Sequence, residues 1–322
     1  MGNYLNPDIS TFARVVNSEI YVDKTGLIEY TNRSAKTLQS YICISRPRRF
    51  GKSIAANMLS AYYTCEYDSR ELFSNLKIAS SDSYEKHLNK YDVIFLNMQE
   101  FLSQSSNVEE MLSLLKKSVI WDLLDKYPDF RYFDETNLMR TLQDIYNKTK
   151  RPFVVIIDEW DCIFREYITD KKAQEKYLDF LRDLLKDKGY VALAYMTGIL
   201  PIAKYSSGSE LNMFWEYTMA SEAKYNEYFG FTDSEVDQLY EKYTRNTREV
   251  HISREDLKEW YDGYTTKSGE RMYNPRSVVL ALTNNNIGNY WTSSGSYDEI
   301  FYYIRQNIDD VQNDLALMIS GE

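Results

Sequence analysis

Four short stretches of the chain are almost continuously apolar: YICIS (41–45), DVIFLNM (92–98), FVVIIDE (153–159) and VALAYMTG (191–198). Unbroken runs rich in β-formers, rather than alternating ones, predict strands covered on both faces, as in a parallel sheet. The segments between them switch to helical spacing. SIAANMLSAYY (53–63) follows the first run, VEEMLSLLKKSVIWDLLDKY (108–127) and ETNLMRTLQDIYNKT (135–149) follow the second, and AQEKYLDFLRDLLKDK (173–188) follows the third. Strand and helix in alternation predict an α/β layered domain.

Beyond Thr197 the pattern changes. WEYTMA (215–220) is a candidate fifth strand. TDSEVDQLYEKYT (232–244) predicts a helix with Thr232 as N-cap and Glu235 three residues later, a capping box. SREDLKEWYDGY (253–264) repeats the arrangement with Ser253 and Asp256, and NPRSVVLALTNNN (274–286) predicts a third short helix with Pro275 in its first turn. The expected division is a first domain at 1–228, a small helical or winged-helix-like lid at 229–290, and a tail at 291–322.

A length of 322 residues agrees with two domains at ~100–200 residues each. The net charge of −10 argues against a general nucleic-acid binder, which is more often basic. RPRR (46–49) is the one dense basic patch. Cys43, Cys65 and Cys162 are scattered and show neither a disulfide framework nor metal-type spacing. No apolar run approaches the ~20 residues of a membrane span, and the first residues lack a signal pattern, so the expected location is cytoplasmic. The 29 tyrosines predict many half-buried aromatic positions.

The candidate chemistry begins in YICISRPRRFGKS (41–53), where a strand, a loop and Gly51-Lys52-Ser53 precede a helix. A phosphate-binding loop aims backbone N–H groups and a helix N-terminus at phosphates. Its lysine reaches the β and γ phosphates, and its hydroxyl holds magnesium. Arg46 stands where the general pattern G-x-x-x-x-G-K-[ST] has its first glycine, and such a loop still forms if Arg46 avoids positive φ. On Gly-Lys-Ser alone, a nucleotide loop and a basic loop capping a helix are equal readings.

VVIIDEW (154–160) tips the balance toward nucleotide. It carries Asp158 and Glu159 to the end of a buried strand, which is costly unless a cation or a reaction uses them. In a phosphate-loop enzyme the Asp supports magnesium and the Glu polarises the attacking water. Thr197, at the end of the fourth run, is either a sensor of the γ-phosphate or a threonine in a turn. Arg276, at the start of the third lid helix beside Asn274, is either a phosphate contact supplied by the lid or a surface arginine.

Several further stretches come in order through residues 21–280: YVDKTGLI, SRPRRFGKS, VVIIDEWD, MTGILPI, GSELNMFWEYTM, YFGFTDSEV, WYDGY and YNPRSV. Together they resemble the bacterial AAA-ATPase-like family, whose members often carry a C-terminal PD-(D/E)XK nuclease-like domain. In that family the arginine-rich loop without its first glycine is the usual variant. The resemblance implies a P-loop NTPase parallel sheet flanked by helices, AAA/STAND-like, with a small lid. It also implies ATP rather than GTP, and it carries YVDKT toward the nucleotide-binding edge. A nuclease-like domain would follow about where this sequence stops, so the sequence is expected to be part of a longer chain. The Glu-x-Lys triplet Glu222-Ala223-Lys224 is too polar for a buried nuclease strand, and no nuclease site is expected within these residues.

The expected activity is Mg²⁺-dependent ATP hydrolysis, slow in isolation, that serves as a regulatory or mechanical switch for a fused domain, a protein partner or an oligomer. Lys52, Glu159 and Thr197 are the candidate catalytic residues. Arg48, Arg49, Phe50, Gly51, Lys52, Ser53, Ile54 and Arg276 are the candidates for binding ATP, and Ser53 and Asp158 for holding Mg²⁺. The alternatives are a nucleotide-binding switch with negligible hydrolysis, a nucleic-acid-binding protein using the RPRR loop, and a kinase with a small acceptor.

Overall fold

The computed structural model describes residues 2–202, 211–219, 224–266 and 268–290. The tail at 291–322 and the Glu222-Ala223 part of the Glu-x-Lys triplet lie outside the described residues. Five strands, β1 (Tyr41–Ser45), β2 (Asp92–Asn97), β3 (Phe153–Asp158), β4 (Val191–Gly198) and β5 (Trp215–Thr218), form one parallel sheet in the order β2-β3-β4-β1-β5. The four apolar runs are β1 to β4, with β3, β4 and β1 inside the sheet, and β2 and WEYT form its two edges.

Two ends differ from the sequence expectation by one residue, each for a local reason. Asn97 stops β2 because its side chain accepts the Glu100 N–H and caps the next helix, so Met98 is helical. Glu159 leaves β3 by turning to φ 54°, a left-handed backbone that a non-glycine residue seldom adopts.

The sheet divides the core. On one face lie α1 (Ser10–Val16), α2 (Gly26–Ser34), α3 (Lys52–Tyr63), α4 (Arg70–Phe73) and α5 (Tyr84–His87), packed on Ile42, Ile44, Val154 and Ile156. On the other lie α6 (Met98–Ser103), α7 (Val108–Lys126), α8 (Leu138–Thr149), α9 (Cys162–Glu166) and α10 (Lys171–Leu185), packed on Cys43, Phe153, Val155 and Ile157. Alternate residues of β3 thus serve opposite faces, which is why its run is apolar throughout. At ~1.5–3 kcal/mol for each fully buried large apolar side chain, β3 is a main anchor of both layers. In α8, Leu138, Leu142 and Ile145 are buried at helical spacing, and Asn137 caps the first turn. Among the described residues no helix is long and apolar enough to cross a membrane.

Many tyrosines are half-buried as expected, Tyr30, Tyr41, Tyr127 and Tyr228 among them. Tyr62, Tyr177 and Tyr190 are fully buried. Each hydroxyl donates to a backbone carbonyl: Tyr62 to Tyr84 O at 2.7 Å, Tyr177 to Trp160 O at 2.6 Å and Tyr190 to Leu184 O at 2.7 Å. Those bonds remove the penalty of taking a hydroxyl out of water.

A third apolar cluster, from Phe231 to Leu282, gathers α11 (Asp233–Asn246), α12 (Arg254–Tyr261) and α13 (Pro275–Asn284). Both expected capping boxes are present, Thr232 with Glu235 and Ser253 with Asp256. Asn274 caps α13 with Pro275 behind it. This part is not purely helical. β6 (Phe231–Thr232), β7 (Tyr264–Thr265) and β8 (Arg271–Tyr273) form a small antiparallel sheet in the order β6-β8-β7. Ile20 and Val22 of the N-terminal segment also pack on this cluster.

Candidate functional site

The chain runs from β1 into α3 on one face of the sheet, while the crossovers from β2 to β3 and from β3 to β4 cover the other. Such a switch opens a crevice at the carboxyl ends of the strands, where α/β folds bind ligands. A cavity of about 950 Å³ lies there, within the ~300–1,000 Å³ of small-molecule sites. The loop before α3, the first turn of α3, Glu159, Arg165 and Arg276 form its polar walls. Phe12, Val15, Val22, Met58, Phe231 and Val279 form an apolar region of the lining.

Gly51 caps α3 at φ 87° and Arg49 turns at φ 68°. These two left-handed residues bend the loop into the helix, and at Gly51 the absence of Cβ removes the strain. Arg46 keeps φ out of that region, as the loop requires, and is almost completely buried. Its guanidinium donates to Ser45 O at 2.9 Å, to Tyr217 O at 2.7 Å and to Asn226 Oδ1 at 2.8 Å, and it lies over the Phe229 ring. Burial lowers its pKa to about 10. Arg46 is therefore a brace joining β1, β5 and the turn at Asn226, turned away from any phosphate. Arg46→Gly would restore the glycine of the general pattern, yet it strips donors from three buried acceptors at ~1–3 kcal/mol each. The expected loss is about 3–5 kcal/mol of unfolding free energy, read by urea denaturation; an unchanged midpoint would refute the brace.

Lys52 is buried, and its Nζ donates to Arg46 O and Pro47 O, both at 3.0 Å. Burial lowers its pKa, opposed by the nearby Glu159, Asp161 and Asp158. Ser53 and Ile54 are exposed in the first turn of α3. Arg48 and Arg49 line the cavity. Among the described residues the buried Nη1 of Arg49 has no hydrogen-bond partner, and the pKa of Arg49 is lowered by burial and by Arg276 and Arg48. Arg276 is exposed on the opposite wall. This cationic surround is chemically suited to a polyphosphate.

Phe50 lines the cavity, but its ring packs edge-on against Tyr264 at 4.6 Å between centroids. Its carbonyl accepts the Gly230 N–H at 3.2 Å. Gly230 has φ 85°, and a Cβ there would press on the Phe50 ring at 3.0 Å. The loop and the third cluster are thus joined directly through Phe50.

Asp158 is buried, and its Oδ1 accepts from Thr197 Oγ1 at 2.6 Å and from Glu159 N at 3.1 Å. The structure places the Thr197 hydroxyl on Asp158, fully buried, so its contact is with the carboxylate. Glu159 lines the cavity, with burial raising its pKa and Arg165 pulling it back down. The residues fit a Mg²⁺ ion of the nucleotide-borne kind. Asp158 has both hydrogen bonds on Oδ1, and Ser53 offers a hydroxyl from the α3 turn. Mg²⁺ commonly takes one or two protein oxygens and completes its shell with phosphates and water. Among the described residues no cluster of three or more His, Cys, Asp or Glu is placed to hold a metal without such help.

Reasoning from the sequence missed Arg165, Asn97 and Gln99, which line the cavity, and Asp161. Asp161 is fully buried and accepts the N–H groups of Ile199 at 2.9 Å and Leu200 at 2.8 Å, tying the turn after β4 to the carboxylate loop. VVIIDEWD displayed Asp161, but an acid three residues past the strand gives no local signal of burial.

The family model described as Predicted AAA-ATPase matches residues 8–207. A curated relative, an uncharacterized protein in the vnfD 5′ region of Azotobacter chroococcum mcd 1, is 23% identical over 296 residues. The match takes in 89% of this chain and 53% of that protein, so the chain spans about half the relative's length. Among solved structures, the ORC2 protein of Aeropyrum pernix in its ADPNP–ADP complexes aligns at TM-score 0.42 and 11% identity, over 84% of this chain and 65% of its own. Cdc6p of Pyrobaculum aerophilum aligns at TM-score 0.41 and 11% identity, over 88% and 68%. Likenesses at this level carry no functional weight.

Proposed function

Because the chain belongs to the Predicted AAA-ATPase family, we propose that it binds ATP with Mg²⁺ in the cavity before α3 and hydrolyses it slowly as a switch. One observation carries the reading. A single cavity brings Lys52 and the first turn of α3 together with Glu159, beside a buried Arg49 nitrogen that has no hydrogen-bond partner among the described residues.

In this reading Lys52 contacts the β and γ phosphates. Gly51, Ser53 and Ile54 supply the helix N-terminus. Arg48, Arg49 and Arg276 neutralise phosphate charge, and Phe50 reports loop position to the third cluster. Ser53 and Asp158 hold Mg²⁺, which when bound would draw charge from the phosphate oxygens. Thr197 orients Asp158. Glu159 orients a water whose oxygen bonds to the γ-phosphorus as the bond to the β–γ bridging oxygen breaks, giving ADP and phosphate. Residues 229–290 act as the lid over residues 1–228, and a fused nuclease-like domain or a separate protein receives the signal.

The alternative of a nucleic-acid contact through RPRR loses support from the same geometry, because Arg46 is buried and Arg48 and Arg49 line the cavity. The test is calorimetric titration with ATP and ADP in Mg²⁺, beside phosphate release with and without a chelator. Saturable ATP binding and chelator-sensitive release are expected. Absence of nucleotide binding with Mg²⁺ present would overturn the proposal.

A further inference from the structure

Arg165 lies on α9, four residues beyond Asp161, and its side chain is only 11% exposed at the cavity wall. Its Nη2 donates to Glu159 Oε2 at 2.5 Å and reaches Gln99 Oε1 at 3.5 Å, and its Nε lies 3.6 Å from Asp161 Oδ2. The group best placed to orient water is thus held in a charge-assisted pair with the nearest guanidinium. A carboxylate engaged in this way has one oxygen committed and its charge compensated, which weakens it as an acceptor toward water. Its backbone turns at φ 54°, and such strain concentrates where a switch must hold two arrangements.

The guanidinium can release Glu159 only by finding another anion within its short reach. Asp161 cannot be that anion by itself. It is fully buried, and its Oδ2, which accepts two backbone N–H groups, already lies 3.6 Å from Arg165 Nε while Glu159 is held, so it anchors the Arg165 side chain from behind; its Oδ1 has no hydrogen-bond partner among the described residues. Arg165 shares the cavity with Lys52, Ser53 and Glu159. A terminal phosphate bound beside those residues would carry more negative charge than the carboxylate and would face the same wall. A diphosphate ends one phosphate short.

We propose that Arg165 is the residue that distinguishes tri- from diphosphate: it exchanges the Glu159 carboxylate for the terminal phosphate of a bound nucleoside triphosphate and so frees Glu159. This rests on the nucleotide reading above. The exchange moves no covalent bond. It couples the presence of the third phosphate to the geometry of Glu159 from within one chain, and it makes Arg165 a positioning residue for Glu159.

The test measures ATP and ADP affinities on the full chain by titration, in the native protein and in Arg165→Ala, Arg165→Lys, Glu159→Gln and Arg165→Ala/Glu159→Gln. Arg165→Ala is expected to narrow the preference for ATP over ADP by about tenfold with ADP affinity unchanged, and Arg165→Lys to recover part of it. Glu159→Gln removes the competing anion, so it is expected to raise ATP affinity and leave ADP affinity alone. That gain should vanish when Arg165 is alanine, the non-additivity of a shared contact. If Arg165→Ala weakens both nucleotides equally, or if the Glu159→Gln gain survives without Arg165, the exchange is wrong and nucleotide binding stands. If the native chain binds neither nucleotide, both readings fall. Should Arg165→Ala not fold, the Glu159→Gln and Arg165→Lys affinities still decide.

Discussion

Glu159→Gln is expected to keep ATP bound while phosphate release falls ~10²–10⁴-fold, the range for removing a general base. The amide keeps the shape of the carboxylate and, through its oxygen, an acceptor for Arg165, so the loop after β3 should hold its form. What disappears is the negative charge that, under the proposed function, would draw a proton from water as its oxygen approaches phosphorus. Burial already raises the pKa of Glu159, and Arg165 offsets part of that rise.

The same variant separates the two switch readings. A switch with negligible hydrolysis would show native release already near background, and Glu159→Gln would change it little. A hydrolysing site would show measurable native release that drops in the variant, with the nucleotide retained on the protein through gel filtration. Retention without turnover is the discriminating result, because a variant that had merely unfolded would lose the nucleotide as well.

The parts legible in the sequence share one property: their signal is local. β3 reads as a strand because each of its residues is buried on one face or the other. The helices α11 and α12 announce themselves by cap and partner three residues apart. The loop Gly51-Lys52-Ser53 and Glu159 line one cavity, because strand, turn and helix order sets both at the carboxyl ends of strands. What stayed hidden depends on distant residues. Arg46 is explained by Tyr217 and Asn226, 171 and 180 positions away, and no local pattern reports them. Thr197 reads equally as a γ-phosphate sensor or a threonine in a turn, and no local pattern reports that its hydroxyl donates to Asp158 on the adjoining strand. β6, β7 and β8 have two or three residues each, too few for a period of two to be seen.

Lys52→Met is the second large effect, and here binding and stability should part company. Lys52 is buried, with its ammonium held by the carbonyls of Arg46 and Pro47. Methionine has similar length and fills the channel without strain. Two terms then oppose each other. The carbonyls lose a donor, at ~1–3 kcal/mol, and the nearby Asp158, Glu159 and Asp161 lose a compensating charge. Against that, a cation whose pKa burial has lowered no longer needs to be kept out of water. The expected net change without nucleotide is small, about 1 kcal/mol or less in either direction. With nucleotide the terms would not cancel under the proposed function, in which phosphate oxygens would take the place of the two carbonyls and give Lys52 charge-assisted bonds to the triphosphate. ATP at about 100 times its native Kd should stabilise the native fold by ~2.7 kcal/mol. Lys52→Met should weaken binding by about two orders of magnitude, as expected for truncating one side of a buried charged contact, and at that ATP concentration most of the thermal shift should disappear. A thermal melt with and without ATP and Mg²⁺ reads both quantities at once. If the variant melts near the native temperature alone and still shifts fully with ATP, Lys52 is a structural lysine capping its own loop, and the phosphate site must be sought among Arg48, Arg49 and Arg276 instead.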